Sequence, residues 1–191
     1  VADAVHGYGG LHFHDVITRR HAEKAAEAGV DGLVLVCAGA GGHAGTLNPF
    51  AFVNEVRSFF DGTILLAGAL STGSDILAAQ VMGADLAYMG TRFIATEEAN
   101  AEVDYKNMII ESGTSDIVYT PQFTGVNASF LKQSIEHIGI NPSSVSPPLT
   151  KKPNKLLLWW KHLKIGRVKK WKELWSAGQG VASISSIPNV E

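Results

Sequence analysis

The chain has 191 residues, 46% of them apolar and 18% charged, with a formal net charge of −2. That is ordinary globular composition and gives no global attraction to nucleic acid. No apolar run approaches the roughly 20 residues that span a bilayer, no basic-then-apolar leader is read at the start, and the one cysteine, Cys37, excludes an internal disulfide framework and makes a reducing cytoplasm the default. Charge is unevenly placed: residues 1–150 carry 7 Lys+Arg against 16 Asp+Glu, and residues 151–191 carry 9 against 2. The basic stretch reads as a solvated insertion on an acidic body, because apolar residues interleave with its lysines; a basic interaction arm is the alternative.

The chain opens at Val1 in a helix-like stretch, which reads as a piece of a longer protein or a trimmed one. Residues 10–16 read as a strand. Thr18 can cap a helix over 19–28 that Gly29 stops. Residues 32–36, Gly-Leu-Val-Leu-Val, have the unbroken apolar character of a buried parallel strand. They run into Cys37-Ala38-Gly39-Ala40-Gly41-Gly42-His43-Ala44-Gly45. Pro49 suits the first position of a helix reaching to residue 60, and Asp61-Gly62 is a turn. A strand over 63–67 ends at Gly68-Ala69-Leu70-Ser71-Thr72-Gly73. A helix over 74–82 closes at Gly83, and a strand over 84–89 ends at Gly90-Thr91-Arg92-Phe93.

Short apolar strands, each followed by a helix, predict an α/β fold with a buried parallel sheet. An open doubly wound sheet and a (β/α)8 barrel both place ligands at the carboxyl ends of strands. His14, Asp15, His43, Gly68, Gly90 and Thr91 all fall at such ends. No G-x-G-x-x-G opens the first helix, which weakens the dinucleotide-binding reading. Further on, 97–111 is amphipathic, Ile117-Val118-Tyr119-Thr120-Pro121 breaks the pattern, and 97–140 reads as a subdomain or lid. Residues 141–155 read as a loop or linker, and 156–175 as one or two helices covering a core, with a membrane-surface helix, lysines flanking its tryptophans, as the alternative.

The glycine-rich run from 39 to 45 lets the backbone approach a flat ligand, with His43 as its one titratable side chain. Imidazole changes charge near neutral pH, which suits a base held over a planar cofactor. A glycine loop with a solvent-facing histidine is the alternative. Gly68-Ala69 and Gly90-Thr91 have the composition of a phosphate cradle built from backbone N–H groups, with Thr91 adding a hydroxyl and Arg92 pairing with the phosphate or with a neighbouring carboxylate; two plain tight βα turns are the alternative. His12 and His14 share one strand face but lack a third metal ligand, and Cys37 reads as a small core residue.

Phe13-His14-Asp15-Val16, Arg20-His21-Ala22, residues 39–45, Met89-Gly90-Thr91-Arg92-Phe93, Tyr119-Thr120-Pro121 and Trp175-Ser176-Ala177-Gly178-Gln179-Gly180 together resemble the nitronate monooxygenase (2-nitropropane dioxygenase) family. The resemblance covers residues 9 to about 141 and resumes at about 170. Its Gly-Gly-His-x-Gly element is shared with FMN-dependent enoyl reductases of the same barrel. The resemblance implies an FMN-binding (β/α)8 TIM-type barrel, incomplete at the amino terminus, with a small helical subdomain. In those terms 1–96 is a partial barrel, 97–140 a helical subdomain or lid, 141–170 a variable linker, and 171–191 a segment returning to the barrel.

The resemblance also implies roles. His43 is the catalytic base. His14, Asp15, Gly41, Gly42, Gly68, Ala69, Gly90, Thr91 and Gln179 contact the FMN, and Ser176 lies near substrate. No metal is implied. The partners are a nitronate or nitroalkane and O2, without nucleic acid or membrane; a homo-oligomer is left open. Three departures stand out. The Pro-x-Met loop along the isoalloxazine has no counterpart here, and Asp15 stands where some members have Lys. Ala69 replaces a common second glycine, a change that preserves a backbone contact if its φ is negative. An enoyl-thioester reductase and an inactive barrel fragment are the competing readings.

Overall fold

The computed structural model describes residues 1–145 and 173–190. The expected linker and the expected helices over 156–175 fall largely on 146–172 and lie outside the described residues. After a short helix α1 (Ala2–His6), four strand–helix units follow: β1 (Phe13–Val16), α2 (Arg19–Glu27), β2 (Gly32–Val36), α3 (Pro49–Arg57), β4 (Thr63–Ala67), α4 (Gly73–Val81), β5 (Leu86–Tyr88) and α5 (Thr91–Ile94). β3 (Gly42–His43) is a two-residue strand between β2 and α3.

The sheet is all parallel, in the order β1-β2-β4-β5. Local chemistry starts each long helix. Thr18 accepts from the His21 N–H, Asn48 accepts from the Phe50 N–H ahead of Pro49, and Thr72 with Asp75 forms a full capping box. Register sorts the strand residues into two faces. His14, Leu33 and Ile64 align in one row, and Val16, Leu35 and Leu66 in another. This face meets Ala22, Phe52, Val53, Val56 and Ala79 of the helices in the main core. Asp15, Val34 and Leu65 align on the opposite face. The expected strand over 84–89 shortens to Leu86–Tyr88, where a sheet edge leaves Leu86 and Tyr88 exposed.

The region 97–140 differs from the expected helical subdomain. Helix is confined to α6 (Val103–Glu111), one 3₁₀ turn (Thr114–Asp116) and α7 (Lys132–His137). Between them β6 (Ile117–Thr120) and β7 (Ala128–Leu131) form an antiparallel hairpin, and β7 also pairs with β3. Phe123, Phe130, Ile135 and Leu174 bury the hairpin on one side, while Leu131, Ile109, Ala177 and Val181 join it to the carboxyl-terminal segment. Tyr105 stacks on Trp175 with ring centroids 5.1 Å apart, and its hydroxyl donates to the Ser176 carbonyl. The buried Lys106 ammonium donates to the carbonyls of Thr96 (2.6 Å) and Glu97 (3.3 Å), which gives its N–H donors partners and ties α6 to the chain leaving α5.

Candidate active site

The carboxyl ends of the parallel strands open into a cleft of about 210 Å³, lined by Asp15, Gly41, His43, Gly68, Ala69, Gly90, Thr91 and Ser176, among others. Eight residues singled out in the sequence therefore meet at one place. The volume lies below the roughly 300–1,000 Å³ of complete ligand pockets. Among the described residues that line it, Asp15 and His43 are the acidic and basic groups, and none is Lys or Arg.

Three expected residues sit elsewhere. His14 shares the row of Leu33 and Ile64, on the face turned from the cleft, and its ring stands edge-on to His12 at 6.1 Å. One residue of strand register separates it from Asp15, which does line the cleft. Gly42 is not a lining residue, but its φ of +67° gives the turn that carries His43 into β3. Gln179 also lies outside the lining; its backbone N–H donates to the Gly39 carbonyl at 2.8 Å.

That last bond belongs to an interlock of two glycine segments. A Cβ on Gly178 would stand 2.6 Å from the Gly39 carbonyl oxygen, and one on Gly41 would stand 2.8 Å from the Gly178 nitrogen. Glycine at both positions lets the backbones touch. The Gly178 N–H donates to Thr91 Oγ1 at 3.0 Å, and Ser71 Oγ donates to the Gly180 carbonyl at 2.9 Å. The carboxyl-terminal segment thereby joins the loops after β2, β4 and β5. Ser71, Gly178 and Gly180 line the cleft yet were not singled out as site residues. The small residues spaced along 176–180 were the available signal.

The loop after β4 is held from below. Asp75 accepts from the N–H groups of Ser71 (2.9 Å) and Thr72 (2.8 Å), which hold its carboxyl below the ordinary range. Above that bond pair, Ala69 has φ = +57°. The backbone is therefore left-handed where the sequence reading required a negative φ, so the alanine is strained. Strain of roughly 1–2 kcal/mol exceeds the roughly 0.5–1 kcal/mol by which glycine loosens an unfolded chain. Ala69→Gly is expected to raise stability by about 0.5–1 kcal/mol, measured by urea unfolding. A lower midpoint would mean that the alanine methyl contributes more than its strain costs.

Arg92 does not reach the cleft; its guanidinium donates to the carbonyls of Ala95 and of Ser186 (2.9 Å). Cys37 is fully buried, and burial pushes its thiol up to about 12, which leaves it neutral and chemically inert near pH 7. Among the described residues no group of three or more His, Cys, Asp or Glu could hold a metal ion, and no helix is long and apolar enough to cross a membrane. His43 stands on β3 against Ala128 of β7, with its Nε2 3.3 Å from Thr124 Oγ1.

A family model described as Nitronate monooxygenase matches residues 2–191. The chain belongs to the nitronate monooxygenase family. The match takes in residues 142–169, which the motif resemblance left out. The chain is also similar to Rv1533 of Mycobacterium tuberculosis, a protein that bears a monooxygenase name, with 33% identity over 143 residues. That alignment covers 71% of this chain and 38% of the relative.

Among solved structures, a FabK variant from Thermotoga maritima superposes with a TM-score of 0.75 at 23% identity, over 99% of this chain and 57% of that one. A nitroalkane oxidase from Streptomyces ansochromogenes gives 0.71 at 25% identity, over 96% and 55%. These likenesses establish the fold as α/β of the (β/α)8 TIM-barrel type. The chain spans well under half the length of that relative and somewhat over half of the two structures. Nitronate monooxygenases are flavin-dependent oxidoreductases.

Proposed function

We propose that this chain supplies the catalytic histidine and the cofactor-phosphate cradle of an FMN-dependent enzyme that oxidatively denitrifies alkyl nitronates or nitroalkanes with O2. The observation that carries the reading is the meeting of His43 with Gly68, Ala69, Gly90 and Thr91 in one strand-end cleft. Thr91 Oγ1 accepts the Gly178 N–H, so its own proton remains to donate to an anion. Among the described residues nothing lies within 4 Å of the place a Cβ on Gly90 would take. Thr91 and the residue after it open α5, where first-turn N–H groups have no intrahelical acceptor. Neutral donors of this kind can hold a phosphate without a cation.

FMN, when bound, supplies electron acceptance and reaction with O2. The protein's own task is binding and proton transfer. Neutral His43 takes the α-proton of a nitroalkane; protonated His43 pairs with a nitronate anion. The carboxylate of Asp15 lines the same cleft, and Ser176 adds a hydroxyl on the carboxyl-terminal side.

The test is a titration of the full chain with FMN, read by flavin fluorescence and followed by a nitronate assay with O2 consumption. Saturable binding is expected. Thr91→Val should weaken it about tenfold, the range of one hydrogen bond to a charged group, and Thr91→Ser should restore it. Absence of binding, or equal binding by both variants, overturns the cradle assignment. NAD(P)H-dependent bleaching of the flavin without nitronate turnover would replace this reading with the enoyl-thioester reductase.

A further inference from the structure

Three aspartates of the strand–helix units use their carboxylates to hold the fold. Asp31 accepts from the His12 N–H (2.6 Å), and Asp75 from the N–H groups of Ser71 and Thr72. Asp85 accepts from the Ile64 N–H (2.7 Å) and from the Arg57 guanidinium. Asp15 differs. It is exposed, and among the described residues no hydrogen bond or ion pair engages its carboxylate.

Register fixes the side on which that carboxylate stands. Asp15 aligns with Val34 of β2. Val36, two residues on, lies on the same face of β2 as Val34 and aligns in turn with Ala67 and Tyr88. Asp15, Val36, Ala67 and Tyr88 all line the cleft, whereas Val16 is buried among the helices. The Asp15 side chain therefore projects from the cleft face of the sheet. It brings a negative charge to a wall whose described lining residues include no Lys or Arg.

A substrate that presents its nitro or nitronate end to the reacting site lays the rest of its chain along these walls. A chain that ends in a carboxylate meets the Asp15 charge, and an alkyl chain does not. Like charges a few ångströms apart in partly wetted protein repel strongly enough to shift an equilibrium constant about tenfold.

We propose that Asp15 is a specificity-determining residue that selects nitronates and nitroalkanes with an uncharged chain over those that carry a second negative charge. The substrate class rests on the function proposed above; charge selection in the cleft does not.

The first readout is binding to the full chain, by calorimetry at low ionic strength. The probes are two unreactive acids whose carboxylate stands in for the nitronate group. Succinate carries a second carboxylate, and 4-methylpentanoate has an isopropyl group in its place. The wild type should prefer 4-methylpentanoate. Asp15→Asn should lower that preference about tenfold, and Asp15→Glu should keep it. Added salt should narrow the wild-type preference, because exposed charges are screened. A wild-type preference that salt does not narrow overturns the proposal, whether or not the variants fold. So does an unchanged preference in folded Asp15→Asn, or failure of both acids to bind either chain. The second readout is turnover by the FMN-loaded protein of the nitronates of 3-nitropropionate and 3-methyl-1-nitrobutane, which differ in the same way. Their kcat/KM ratio should move about tenfold in Asp15→Asn, with the change carried by KM. The expected binding shift without turnover of either nitronate would overturn the function proposed above while supporting charge selection by Asp15.

Discussion

His43→Ala is expected to reduce turnover of a neutral nitroalkane by about 10²–10⁴-fold, the range of a positioned general base, and to cost much less on a preformed nitronate. The difference follows from chemistry. A nitroalkane must lose its α-proton before its carbon is electron-rich, whereas a nitronate has already lost it. Among the described residues His43 is the one imidazole on the cleft wall, which makes it the group placed to take that proton. The substitution should leave the fold intact, because β3 is joined to β7 through backbone pairing at Gly42 and His43, and alanine keeps those bonds. An exposed side chain of this kind typically changes stability by less than about 0.5 kcal/mol. The measurement is kcat/KM on both substrates, with a thermal melt of the variant as control. Equal loss on both substrates sinks the base assignment, and loss on the nitronate alone would mean that the imidazolium binds the anion.

Much of the barrel portion was legible because its punctuation is local. Thr18, Asn48-Pro49 and Thr72 open their helices with side-chain caps that need no tertiary context. The apolar strands 32–36 and 63–67 appear at their predicted bounds. What escaped depends on contacts distant in sequence. His12-Phe13-His14-Asp15 offers polar groups to both faces of an edge strand, so only pairing with β2 reveals that Asp15 faces the cleft and His14 the helices. Residues 117–120 have β-branched and aromatic character, yet their sheet is completed by Gly42 and His43, some 75 residues earlier. A two-residue strand has no periodicity to read. Ala69 is the sharpest case. Glycine-like composition around it indicated a tight loop, but the sign of its φ is set by a loop pinned through Ser71 to Gly180 and through Ser71 and Thr72 to Asp75. Thr124 escaped for a related reason: nothing in its local sequence connects it with a histidine 81 residues away.

The same interlock makes Gly178→Ala the substitution expected to damage the fold most. Its methyl would lie 2.6 Å from the Gly39 carbonyl oxygen and 3.0 Å from the Gly41 nitrogen. Both obstacles are backbone atoms, so no side-chain rotation relieves the clash; one segment must move. Movement stretches the Gln179 N–H bond to Gly39, the Gly178 N–H bond to Thr91 and the Ser71 bond to Gly180 together. Overpacking alone costs about 1–3 kcal/mol, and the strained hydrogen bonds each contribute about 0.5–1.5 kcal/mol more. A net loss of about 3 kcal/mol would lower Tm by roughly 6–12 °C for a chain of this length. Gly73→Ala is the internal control. Among the described residues nothing lies within 4 Å of its Cβ position, and it is the first residue of α4, where alanine is accommodated, so its Tm should hold or rise. FMN affinity should fall with Gly178→Ala, since Thr91 then loses the donor that orients its hydroxyl. A Gly178→Ala chain that melts with the wild type would mean that the glycine segments stand apart in solution and that the carboxyl-terminal segment does not form this wall of the cleft.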